Sequence, residues 1–143
     1  MTTKTVKIPE SHRDLLDGPV PVTLATIMPD GQPQLSVVWC NTDGDFVLVN
    51  TARGRQKDTN MRQRPKVTIL AIDPKNPYRY LEVRGEVVEM TEEGALEHIN
   101  QLAKLYVGVD NYYGGLAPEE QKHKETRVMA KIRPTRVIAF GNS

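Results

Sequence analysis

Strand-like runs recur along this chain at short spacing, each stopped by a turn signal, and they do not alternate with helices. Residues 22–28 are rich in β-branched side chains and alternate apolar with polar, as a half-buried strand does. Pro29-Asp30-Gly31 is a tight-turn signal. Residues 34–41 read as a second strand and 46–51 as a third, joined through Asp43-Gly44, a hairpin signal. Residues 66–72 make a fourth. Asp73-Pro74-Lys75-Asn76-Pro77 reads as a proline-pinned loop, and 80–90 as a long fifth strand with a bulge or bend at Gly85. Residues 127–133 and 135–140 form a last pair of strands, or one strand bent at Pro134. About six strands without strand–helix alternation exclude a doubly wound parallel sheet and predict a mainly β, antiparallel barrel.

Helices are few. Residues 10–17 predict a short amphipathic helix carrying Leu15 and Leu16 and ended by Gly18-Pro19. A second short helix follows Arg55 and Lys57 and stops near Arg64, because Pro65 cannot continue it. Thr91 reads as the N-cap of a third, with Glu92 and Glu93 in its first turn. That helix carries Leu96, Ile99, Ala103 and Tyr106 at helical spacing, before a breaker-rich segment over 108–118. With 143 residues, a single domain over 1–143 is expected.

The most informative segment for function is 53–66. Six of its fourteen residues are basic and only Asp58 is acidic. Arg55 and Lys57 stand where the loop turns into a helix, and a helix start offers free N–H groups and a positive dipole end. Two cations there make a place for a phosphate; the alternative is a solvated basic loop. Net charge is only +1, so an anion site must be local. A nucleic-acid surface is not expected, because the basic run is short and lacks interleaved aromatics.

Other chemistry is sparse. His12, His98 and His123 are scattered without metal-ligand spacing, and His98 reads as a surface residue of its helix. Cys40, beside Trp39, reads as a small packing residue, and a single cysteine excludes an internal disulfide. No nucleophile elbow or Walker loop is present. No catalytic residue and no metal site are therefore assigned. A phosphate site without a catalytic dyad points to a cofactor that carries the chemistry. The polar stretch over 1–10 lacks the apolar core of a signal peptide, and no apolar run approaches the roughly 20 residues of a membrane span. A cytoplasmic protein with no membrane partner is expected.

Read together, several segments resemble the pyridoxamine 5′-phosphate oxidase-like flavin and deazaflavin oxidoreductases. They are Leu24-Ala25-Thr26-Ile27 with Asp30-Gly31-Gln32-Pro33-Gln34-Leu35-Ser36, Val49-Asn50-Thr51, Gly54-Arg55-Gln56-Lys57, Asn60, and Arg64-Pro65-Lys66-Val67. Asn76-Pro77-Tyr78-Arg79-Tyr80-Leu81-Glu82-Val83-Arg84-Gly85-Glu86-Val87 and Ile132-Arg133-Pro134-Thr135-Arg136-Val137 complete the set. The resemblance implies a split β-barrel homodimer with cofactor sites at the interface. It implies that Lys57 and Arg55 hold the cofactor phosphate, with Asn60 in the same motif. It implies that Asn50 and Thr51 lie beside the tricyclic ring, and that Ser36, Val37, Val38 and Trp39 run along it. Tyr78, Arg79 and Tyr80 match a segment that reaches into the partner's site. Plain core packing remains the alternative for Trp39 and Tyr80, and turn or ladder hydrogen bonding for Ser36, Asn50 and Thr51.

The combination of Arg55-x-Lys57 with 73–80 resembles the deazaflavin branch, so coenzyme F420 is the expected cofactor, with FMN as the alternative. The expected activity is hydride transfer to or from a small organic substrate; a non-catalytic cofactor carrier is the further alternative. A C-terminal segment with the arginine and histidine of true pyridoxamine phosphate oxidases is not found after the last strand, so the vitamin activity is not expected. The breaker-rich segment over 108–118 is the expected substrate wall.

Overall fold

The structure is a computed structural model and describes residues 4–142. Met1, Thr2 and Thr3 of the polar N-terminal stretch, and Ser143, lie outside the described residues. Seven strands form one antiparallel sheet: β1 (Val22–Ile27), β2 (Pro33–Val38), β3 (Cys40–Asp43), β4 (Phe46–Ala52), β5 (Lys66–Asp73), β6 (Asn76–Thr91) and β7 (Arg127–Phe140). Their order is β2-β1-β5-β6-β7-β4-β3. The sheet curls into a half-barrel, the split-barrel architecture expected of the sequence.

The two long strands make the curl possible. β6 pairs with β5 along its first part and with β7 from Tyr80 to Thr91. Their register slips at Arg84/Gly85, where Pro134 faces Gly85, and again between Val87 and Glu89. Each extra residue raises the local twist and bends the strand. Gly85 is required there by contact: a Cβ would stand 2.6 Å from the Arg133 carbonyl oxygen and 2.8 Å from Ile132 Cγ2.

Alternation then sorts the side chains. Val22 and Leu24 of β1, Val67 and Ile69 of β5, Leu81 and Val83 of β6, and Ala130 and Ile132 of β7 fill the interior. Leu15 and Leu16 close one end of it from α1 (Asp14–Asp17), which follows a 3₁₀ turn over Glu10–His12. Met61, from α2 (Gln56–Gln63), joins the same core.

Four expectations of local structure are corrected. The run over 34–41 is two strands, not one. Trp39 interrupts it, and the chain passes from one edge of the sheet, where β2 pairs with β1, to the other, where β3 pairs with β4. The Tyr106 hydroxyl fastens the crossing: it accepts a hydrogen bond from the Cys40 backbone N–H at 3.1 Å, and its ring stacks on Trp39 with centroids 5.1 Å apart. The loop expected over 73–77 is a tight turn at Pro74 and Lys75, because Asn76 already pairs with Asp73 and Pro77 tolerates a strand start. Thr91 does not cap the third helix. Its hydroxyl accepts from the Glu93 N–H, and α3 (Ala95–Val107) starts after Gly94, whose φ is +76°. His98 is a core-facing residue of α3, 3 % exposed, and not a surface residue. Residues 127–140 form one strand that runs through Pro134.

Candidate functional site

Local order at the basic loop begins with Asp58. It is buried; one carboxylate oxygen accepts from the Gly54 N–H at 3.0 Å and the other from Arg62 Nε at 2.9 Å. Gly54 itself has φ +87°, which favours glycine. This turn sorts the six basic residues. Arg62 is tied to Asp58, Arg64 to the Ile27 carbonyl at 2.6 Å and Asn60 Oδ1 at 3.1 Å, and Arg53 to Glu92. Lys66 lies exposed on β5. Arg55, the residue before α2, and Lys57 in its first turn line a cleft of about 200 Å³.

The cleft has a cationic end and an apolar wall. Lys57 Nζ donates to Ser36 Oγ at 3.1 Å. Burial, then the charges of Arg55 and Arg127, push the Lys57 pKa below its ordinary value. An ammonium held this way gains from an incoming anion. Val37 and Val38 at the end of β2, with Trp39, supply one side of the cleft; Ile99 and Leu102 of α3 and Tyr112 and Leu116 of the following loop supply the other. Val37 is 71 % exposed in the single chain. Tyr112 meets Trp39 edge to face at 6.4 Å.

Asn50 forms part of the cleft floor and is fully engaged. Its Nδ2 donates to the Ala95 carbonyl at 2.9 Å and to His98 Nδ1 at 3.0 Å, and its Oδ1 accepts from Arg127 Nε at 2.9 Å. His98 Nε2 then donates to Asn41 Oδ1 at 2.8 Å. Burial and the Arg127 charge push the His98 pKa down to about 4, so the ring is neutral at pH 7. It positions Asn50 and is not placed to exchange protons with a ligand. The Cys40 thiol, buried under Leu16, is pushed up to about 12 by burial.

Of the residues singled out in the sequence, Val37, Val38, Trp39, Asn50, Arg55 and Lys57 come together around the cleft, with Ser36 attached through Lys57. Thr51 alternates to the barrel side of β4; it is buried, and its hydroxyl has no hydrogen-bond partner among the described residues. Asn60 is on the buried face of α2, where Thr26, Met28, Gln56 and Arg64 occupy its amide. Tyr78, Arg79 and Tyr80 lie outside the cleft of the single chain. Tyr78 is 77 % exposed, and Tyr80 stacks on Phe140 at 5.3 Å. Arg79 is buried and binds Asp14 at 2.6 Å and Asp73 at 3.1 Å.

Sequence reasoning missed Arg127, Glu125 and Tyr112. Arg127 is 7 % exposed and stacks over the Tyr112 ring at 5.2 Å. Glu125 accepts from Arg55 Nη2 at 2.8 Å and from the Tyr113 hydroxyl at 2.7 Å. Nothing in a strand that opens with arginine marks it as a site residue; only the flagged loop over 108–118 hinted at Tyr112.

The family model of pyridoxamine 5′-phosphate oxidase matches residues 8–141. A comparison with curated proteins finds no match. Among solved structures, an F420 reductase superposes with a TM-score of 0.77 at 34% identity, covering 92% of this chain and 98% of its own. A conserved hypothetical protein from Mycobacterium tuberculosis superposes at 0.71 and 25% identity, covering 98% of this chain and 88% of its own. HupZ from Group A Streptococcus shares the fold at 0.66 and 20% identity, covering 95% and 98%.

Proposed function

The chain belongs to the pyridoxamine 5′-phosphate oxidase family, and from that premise we propose that it is a homodimeric oxidoreductase that binds coenzyme F420 in the Arg55–Lys57 cleft. The observation that carries the reading is the pairing, in one cleft, of a half-buried ammonium with no carboxylate partner among the described residues and an apolar wall suited to a flat ring. The donor set fits the group: Lys57, Arg55 and the Ser36 hydroxyl suit a phosphate, and Val37, Val38 and Trp39 suit a ring face. The resemblance to an F420 reductase supports a deazaflavin over a flavin.

A deazaflavin held by these residues would supply the hydride-transfer chemistry, to or from a substrate. The chain's part is to orient the ring and exclude water. Among the residues lining the cleft none is a histidine, cysteine or carboxylate, and no side chain is assigned to proton transfer. The substrate is a small organic molecule admitted past Tyr112 and Leu116.

A second chain is part of the proposal. A cleft of about 200 Å³ is small for a cofactor of this size, since ligand pockets usually run to about 300–1,000 Å³. The outer sheet face offers the contact: Leu35, Ile72 and Phe140 are exposed, and Leu70, Pro77 and Tyr80 line a shallow depression of about 580 Å³ beside them. Exposed Tyr78, on a segment anchored through Arg79, would then complete the partner's cleft.

Parallel titrations with F420 and FMN test the cofactor. F420 should bind at least about tenfold tighter, or 1.4 kcal/mol. Protein that purifies with stoichiometric FMN and does not exchange it for F420 would make this a flavin oxidoreductase. Tight binding without turnover of any acceptor would make it a carrier.

A further inference from the structure

Arg127 is not among the residues that the family resemblance singles out, yet the cationic end of the cleft is built around it. Its Nε is held by Asn50 Oδ1, which the Ala95 carbonyl and His98 fix from the other side. Its Cζ lies over the Tyr112 ring. Its Nη1 is buried without a hydrogen-bond partner among the described residues, 3.7 Å from Glu125 Oε1. An arginine held by one nitrogen and left unsatisfied at another is costly unless something comes to it. Glu125 is the bridge to Arg55, which it meets at 2.8 Å through its other oxygen. The carboxylate stays ionised: burial opposes this, but the hydrogen bonds from Tyr113 and Arg55 prevail and hold it below the ordinary carboxylate range. Lys57 is close enough for both guanidinium charges to act on it. Arg55 and Arg127 thus share one carboxylate, and Lys57 has none among the described residues, which leaves two positive charges uncompensated.

We propose that Arg127 is a third anion-binding residue of this site, so that the ligand's phosphate is received by Arg55, Lys57 and Arg127 together, with Glu125 balancing the receptor when it is empty. The idea deepens the cofactor reading and rests on it. It assigns Glu125 a competing role: its carboxylate faces the same guanidinium groups that the phosphate must reach. It also gives Tyr112 a purpose, since its ring face supports the guanidinium from one side.

Arg127→Met is compared with the parent in titrations with F420 and with the phosphate-free ribityl deazaflavin. The expected result is a loss of about ten- to a hundredfold in F420 affinity, with the phosphate-free compound unchanged within about twofold. Equal loss for both ligands would make Arg127 a purely structural residue or a ring contact and overturn the proposal, as would no loss at all. Glu125→Gln keeps Arg127 and decides the matter if Arg127→Met does not fold. It should bind F420 more tightly and the phosphate-free compound no differently; weaker or unchanged F420 binding overturns the proposal. If the parent binds neither chromophore, the cofactor reading fails by itself. Inorganic phosphate then probes the receptor: it should raise the parent's melting temperature and not that of Arg127→Met. No rise in the parent, or the same rise in both, counts against it.

Discussion

Lys57 and Arg55 are neighbours in sequence but not equivalent. Among the described residues Lys57 meets only a hydroxyl, whereas Arg55 already has Glu125. Lys57→Ala should therefore weaken cofactor binding by about 1.5–3 kcal/mol, the usual worth of a charge-assisted hydrogen bond, and Arg55→Ala by less. Without ligand, Lys57→Ala should keep or slightly raise the melting temperature, because it removes a desolvated cation from beside two others. Calorimetric titration and a thermal melt check both; binding as tight as the parent's would mean that the phosphate lies elsewhere. His98 makes a pH prediction. The unfolded ring takes a proton near 6.5, while the folded ring resists until about 4. Between those values the unfolded state binds more protons, so His98's contribution is complete above about pH 6.5 and is lost as pH falls toward 4, up to roughly 3 kcal/mol. Melting temperatures across that window should fall more steeply for the parent than for His98→Asn.

At the scale of elements, the two long strands hold the two halves of the molecule together. β6 and β7 share the pairing that carries the bulge at Gly85. Gly85→Ala would drive a methyl into the Arg133 carbonyl, and Ile132 blocks the side-step. A loss of about 1–3 kcal/mol is expected, read as a drop in the denaturant midpoint with the slope unchanged. An unshifted midpoint would show that β7 can slide, and then the bulge is not what aligns Arg127 with Asn50. α3 works differently. Its buried residues Ala95, His98, Ile99 and Leu102 lie along one face, so the same helix holds Asn50 and walls the cleft.

For the whole molecule, the outer face of β2, β1, β5 and β6 carries exposed Leu35 and Ile72 beside an apolar depression. Light scattering at micromolar concentration should give twice the chain mass. Leu35→Glu with Ile72→Glu should give the single-chain mass and lose cofactor binding together with the dimer, although neither residue lines the cleft. A monomeric variant that still binds F420 tightly would confine the site to one chain. Any preference for F420 over FMN should shrink from low to physiological salt, because an exposed anionic tail is screened over a Debye length of about 8–10 Å.

The sequence determined what repeats at short range. Period-two alternation located most strands but not the break at Trp39, Pro65 ended α2, and Gly85 announced its bulge, because sterics and backbone hydrogen bonding act within a few residues. Arg55 and Lys57 were legible for the same reason: a cation pair at a helix start is a local pattern. Only the tertiary structure decided which of the six basic residues stay available, since Arg53, Arg62 and Arg64 find partners contributed by folding. Only it could turn Arg79 toward Asp14, bury His98 against Asn50, or bring Arg127 to a site assembled from residues far away in the chain. Those are long-range electrostatic and hydrogen-bond pairings. Desolvation on folding sets their strength, and no spacing in a linear sequence records it.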